Sequence, residues 1–192
     1  MSSKKIPNLK ITLLGQKNIG KSKLVKEYMN SSKSIKPTKK DKDIEKENKI
    51  SFIKEFESSQ FKFKISINKY SEKSEKIINN VNESHCVLII FDMSSRKSFE
   101  KLLDDWLIFL RDSCNYKGKV FIFGKHYNVN EPLMTDEDEI NEMIRVSEVN
   151  CKFYNIGKND TSQNNAIFDK LINTALEYEK ANSVNKKDCN IF

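Results

Sequence analysis

GQKNIGKS, residues 15 to 22, decides how this chain is read. It has the form G-x-x-x-x-G-K-[ST], with Gly15, Gly20, Lys21 and Ser22 in the constrained positions. Each position has a physical task. The glycines let the backbone wrap closely, so that successive N–H groups point at phosphate oxygens. Lys21 brings a positive charge to the β- and γ-phosphates, and the Ser22 hydroxyl is suited to Mg²⁺. The flanks agree with this reading. Leu9, Ile11, Leu13 and Leu14 form a short apolar strand before the loop, and Leu24, Val25, Tyr28 and Met29 follow it at helical spacing. A strand, a glycine loop and a helix together set a helix N-terminus under an anion. The stretch therefore predicts a site for a nucleoside phosphate, without naming the base or saying whether a phosphate is cleaved.

Outward from the loop, period-two and period-3.6 segments alternate. Strands are expected at 9–14, 49–56, 61–68, 86–91, 119–124 and 152–155. Phe61, Phe63, Ile65 and Ile67 share one face of the third, opposite Lys62, Lys64 and Ser66, and the short polar link 57–60 makes it an antiparallel hairpin with 49–56. Cys86 to Phe91 is uniformly apolar, as a parallel strand buried on both faces should be. Helices are expected at 20–30, 72–83, 97–112, 136–149 and 164–180, with Trp106 as a core anchor and Thr135 as an N-cap. Residues 31–48 read as a long polar loop and 181–192 as a flexible polar tail after a domain spanning 1–180. The fold class is α/β: a doubly wound, mostly parallel six-stranded sheet with one antiparallel edge hairpin and helices on both faces.

Composition sets bounds on function. The 192 residues suit one domain with a substantial core. The longest apolar run, Cys86 to Phe91, falls far short of the ~20 residues that cross a bilayer. No apolar segment follows the basic start, so a secretory signal is not expected, and Cys86, Cys114, Cys151 and Cys189, which lack metal-ligand spacing, are expected to be reduced thiols. Net charge is +7, and seven lysines fall between 33 and 49. Nucleic-acid binding would call for interleaved arginine and aromatic residues, which this stretch lacks, so a solvated loop is expected and no nucleic-acid partner.

The order of parts resembles a Ras-superfamily small GTPase of the P-loop NTPase class, closest to the Rab and Ras branches. The loop sits near the N-terminus, and Pro37-Thr38 falls where the family has its switch I threonine. VLIIFDMSSRKSFEKLLDDW, 87 to 106, follows the family's fourth strand and third helix, while FYNIGKN, 153 to 159, and NNAIFDKLI, 164 to 172, match its last strand, base loop and last helix. There is no room for the insert typical of Rho proteins. The resemblance implies GTP or GDP with Mg²⁺. It implies contacts to the nucleotide from Gly15, Lys17, Asn18, Ile19, Gly20, Lys21, Ser22 and Lys23, with Lys125, Gly157 and Lys158 beside the base and Ser22 and Thr38 on the metal. Effector and regulator proteins are implied as well. The ending Cys189-Asn190-Ile191-Phe192 is similar to a C-a-a-X signal for geranylgeranylation of Cys189, which implies a lipid-anchored protein on the cytoplasmic face of a membrane with a cytosolic pool.

The family's other motifs are altered. Where Asp-x-x-Gly ends the third strand, the chain is read as Asn68-Lys69-Tyr70-Ser71, which sets Glu72 at the place of the water-orienting glutamine. Lys17 stands where a small residue is usual. Asn-Lys-x-Asp is replaced by Gly124-Lys125-His126-Tyr127, so the carboxylate that pairs with guanine is gone. That loss is worth on the order of 10- to 150-fold in base preference. His126 is expected to be chemically inert. Three functions compete: a membrane-anchored switch in vesicle traffic or signalling with impaired hydrolysis, a pseudo-GTPase interaction module without nucleotide cycling, and a P-loop kinase. The third fits poorly, because arginine occurs only at 96, 111 and 145.

Overall fold

The computed structural model describes residues 8–31, 35–37, 49–55, 62–126, 130–157 and 161–188. Seven strands form one sheet: β1 Asn8–Leu14, β2 Ile35–Pro37, β3 Lys49–Glu55, β4 Lys62–Tyr70, β5 Cys86–Asp92, β6 Lys119–Lys125 and β7 Cys151–Ile156. Their order is β2-β3-β4-β1-β5-β6-β7. β3 runs antiparallel to both neighbours, and every other pairing is parallel. The helices are α1 Lys21–Asn30, α2 Glu75–Asn82, α3 Arg96–Lys101, α4 Glu137–Ser147 and α5 Thr161–Asp188.

The sheet divides the core in two because its central strands are apolar on both sides. Along β5, Cys86, Leu88 and Ile90 meet Leu24, Val25 and Tyr28 of α1 and Phe168, Leu171 and Ile172 of α5. Val87, Ile89 and Phe91 point the other way, to Ile77 and Val81 of α2, Phe99 of α3 and Ile140 of α4. This is the two-sided burial expected of a doubly wound sheet. Trp106, buried to 3% exposure, belongs to the second layer, as a core anchor should. The β3–β4 hairpin keeps the expected alternation, with Ile50 opposite Ile67 and Phe52 opposite Ile65; Phe61 lies outside the described residues.

Four expectations need correction. The sheet has seven strands, not six, because the segment read as a loop contains β2. Three residues are too short for a period-two pattern, yet Ile35 is buried and pairs with Lys54, and Pro37 is tolerated on an edge strand. The helix expected at 97–112 begins as α3, capped by Ser95 accepting from the Ser98 N–H at 3.2 Å, and continues as π-helical turns over Leu102–Leu107 and Phe109–Ser113. The N-cap of α4 is Asp136, not Thr135: its carboxylate accepts the Glu139 N–H at 2.8 Å, while the Thr135 hydroxyl donates to the Glu139 side chain. The last helix starts at Thr161 and runs to Asp188, beyond the expected bounds of 164 and 180. Among the described residues no helix is long and apolar enough to cross a membrane.

Candidate functional site

The loop leaves β1 at the carboxyl end of the parallel strands, where open α/β sheets hold ligands. Its backbone conformation demands the residues it has. Gly15 has φ 141°, and a Cβ there would lie 2.5 Å from the Ile90 carbonyl oxygen. Asn18 and Gly20 are left-handed at φ 64° and 89°, a region that Gly and Asn enter at least cost. Ile19 is buried and pins the loop, while Lys17 and Asn18 stand exposed at its crest. Gln16, Lys17, Asn18 and Ile19 face Asp92 and Ser95 across a cleft of about 210 Å³. Gly20 caps α1 without a side chain, and the first turn carries no acidic residue, so the positive end of α1 opens into the loop.

Lys21 is folded into this cradle. Its ammonium donates to the carbonyl oxygens of Gly15 at 2.7 Å and Gln16 at 2.6 Å, and to the Ser71 hydroxyl at 2.8 Å. Burial, and then the neighbouring positive charge of Lys69, bring its pKa down to about 8. Lys23 points along α1 towards Glu27, at 3.9 Å.

The end of β4 corrects the reading of the altered motif. Phe63, Ile65 and Ile67 face the layer formed with α1 and α5, and the same alternation brings Lys69 to that face. Lys69 donates to the Ser22 hydroxyl at 2.9 Å. Asn68 points the other way and donates to Asn80 of α2 at 3.1 Å. The residue that confronts Ser22, and so holds the place of the family's aspartate, is therefore Lys69 and not Asn68. That frame moves Glu72, which is exposed, to the glycine's place, and Lys73 to the glutamine's. Lys73 forms an ion pair with Asp105 at 3.2 Å. Sequence reasoning missed Lys69, although extending the Phe63-Ile65-Ile67 period by one step identifies it.

Opposite the phosphate loop, Lys125 ends β6 beside Asp92 and is buried to 8% exposure. Gly157 follows β7 and accepts the Asn164 side-chain amide at 2.9 Å. Gly124 is held to glycine by packing: a Cβ there would meet Met93 Sδ at 2.7 Å and Phe153 Cε2 at 2.8 Å. His126 is engaged by the Glu131 carbonyl at 2.8 Å, which gives it a structural role. Thr38, Tyr127, Lys158 and Cys189 lie outside the described residues.

A sequence profile of the Ras family matches residues 10–177. The chain belongs to the Ras family. No curated protein sequence matches it. Membership makes this Ras-family chain a small GTPase-like, nucleotide-binding switch domain of the kind that takes guanine nucleotides and meets effector and regulator proteins. Ras-family proteins bind GTP and GDP with Mg²⁺; of the two residues expected on the metal, Ser22 accepts from the Lys69 ammonium and Thr38 lies outside the described residues. The Ser22 oxygen already accepts from a buried ammonium, and the residue facing it is a cation. Mg²⁺ asks for a near-octahedral shell of oxygens. Among the described residues no group of His, Cys, Asp and Glu side chains is placed to hold a metal ion.

Proposed function

We propose that this chain is a membrane-tethered member of its family that holds a guanine nucleotide and hydrolyses it slowly, acting in vesicle traffic or signalling. The observation that carries the nucleotide reading is the cradle itself: glycines at φ 141° and 89°, an uncapped helix N-terminus and a buried Lys21 converge on one point. Slow turnover is supported by the end of β4, where Glu72 and Lys73 stand in place of the glycine and glutamine that sense and orient. Where Phe192 is the carboxyl terminus of the cellular chain, Cys189 is the site of geranylgeranylation and the tether. A single prenyl chain binds reversibly, which leaves a cytosolic pool.

The deciding measurement is to denature protein purified from its own cells and identify the released nucleotide by chromatography. GDP or GTP is expected. An empty site, with no uptake of either nucleotide at millimolar concentration, overturns the reading. A second reading, an interaction module without nucleotide cycling, is favoured by the two hydrogen bonds that tie Lys21 to Ser71 and Lys69 to Ser22. Hydrogen exchange in the GDP and GTP-analogue states separates the two. Matching profiles over 31–48 and 68–80 support the module, and a clear difference there excludes it.

A further inference from the structure

We infer that the side-chain oxygen of Asn164 selects the base, by accepting from the exocyclic amino group of guanine in a small cavity between α1 and α5. This rests on the nucleotide reading above and deepens it, since Asn164 is then what makes the nucleotide a guanine one.

Asn164 stands in the first turn of α5, and the two ends of its amide are treated differently. The nitrogen donates to the Gly157 carbonyl at 2.9 Å. That bond fixes the orientation, because the reversed amide would set two oxygens against each other. The oxygen is buried and, among the described residues, has no hydrogen-bond partner. Buried acceptors are almost always paired, so an orphan marks a place where a ligand or a water supplies the donor.

Asn164 lines a cavity of about 30 Å³ with Phe168 of α5 and Leu24, Glu27 and Tyr28 of α1. That volume takes a group the size of a water molecule, such as an amino group, and not a ring. Glu27 adds a carboxylate to the lining, and its ion pair with Lys23 is loose at 3.9 Å. A group with two hydrogens therefore finds two acceptors. The place in the fold suits a base. In the nucleotide reading Gly157 stands beside it, and Asn164 is bonded to Gly157, while α1 starts at Lys21 under the phosphates. The family's guanine-pairing carboxylate is missing from Gly124-Lys125-His126-Tyr127, so an acceptor from elsewhere is needed. Guanine carries an amino group at C2 that donates twice, and hypoxanthine, otherwise the same, lacks it.

Calorimetric titration of the full chain with GDP and with IDP, its hypoxanthine counterpart, tests this. GDP should bind about 5- to 150-fold more tightly. Equal affinities, or tighter binding of IDP, overturn the inference and leave the nucleotide reading standing, with a water filling the cavity. Binding of neither overturns both. Asn164→Leu removes the acceptor and fills the space, and it should bring GDP and IDP within about twofold of each other. A variant that keeps the wild-type preference for GDP overturns the role given to Asn164. Loss of the bond to Gly157 would weaken both nucleotides alike, so the ratio separates reading of the base from positioning of the loop. Circular dichroism melts establish that the variant is folded, and Asn164→Ala, which cannot overfill the cavity, makes the same comparison where the leucine is not accepted.

Discussion

The phosphate loop and the end of β4 face each other across the same site, and the first keeps its motif where the second does not. The loop works through backbone: N–H directions, left-handed residues at 18 and 20, and a glycine at 15 whose neighbour is a carbonyl. Any change there must satisfy φ and a 2.5 Å approach, so the motif is intact. The end of β4 works through side chains at positions whose backbone accepts any residue. There the acidic place has become Lys69, and a hydroxyl, Ser71, now receives Lys21. Backbone-built recognition is retained or lost as a unit, whereas recognition built from side chains can change sign one residue at a time.

The sharpest way to break this comparison is Gly15→Ala. The new methyl meets the Ile90 carbonyl at a φ of 141°, and both have to give. The expected cost is on the order of 3 kcal/mol of stability, with nucleotide binding lost. Urea unfolding and a nucleotide titration check it. An alanine variant of wild-type stability and affinity would mean that the loop is not backbone-limited.

Gly124→Asn tests the packing at the base end and should harm the protein. Met93 and Phe153 occupy the space its side chain needs, at 2.7 and 2.8 Å from the Cβ position. Overpacking of this kind costs about 1–3 kcal/mol. A lowered Tm with no gain in GTP-over-ATP preference is expected. An unchanged Tm would show that Met93 moves aside freely, which a flexible thioether can do only where there is room.

These two positions also mark what could be read from sequence. β1, the loop and α1 were legible because an apolar run, four constrained residues and a 3.6-residue period agree. The two-sided burial of β5 was legible from an unbroken apolar run. β2 was not, because three residues on an edge carry no period, nor were the π-helical turns after α3, whose apolar spacing reads as an ordinary helix. The frame at the end of β4 was misjudged by one residue: with the acidic landmark gone, neighbouring Asn68 and Lys69 look equivalent until the alternation of Ile65 and Ile67 is carried forward. Gly124 showed that a motif was altered, but only its neighbours explain why glycine stands there.

The smallest expected effect is a pH dependence that belongs to the loop alone. Lys21 has its ordinary pKa of 10.5 in the unfolded chain and about 8 in the fold, because burial and Lys69 disfavour its charge. Between those values the unfolded state binds more protons than the native state, so stability from this group rises with pH across the window. The buried thiols act in the opposite direction: burial raises Cys86, holds Cys114 at about 11 and holds Cys151 at about 12, so the unfolded chain loses those protons first. Comparing wild type with Lys21→Met isolates the lysine, and the difference in urea midpoint should shift in favour of wild type from pH 8 to pH 10. A bound phosphate favours the charged ammonium, so nucleotide binding at pH 9 should take up a proton and weaken further as pH rises. Calorimetry in two buffers of different ionisation enthalpy reads that proton directly. Equal heats in the two buffers would mean that Lys21 keeps its charge in the nucleotide-free fold.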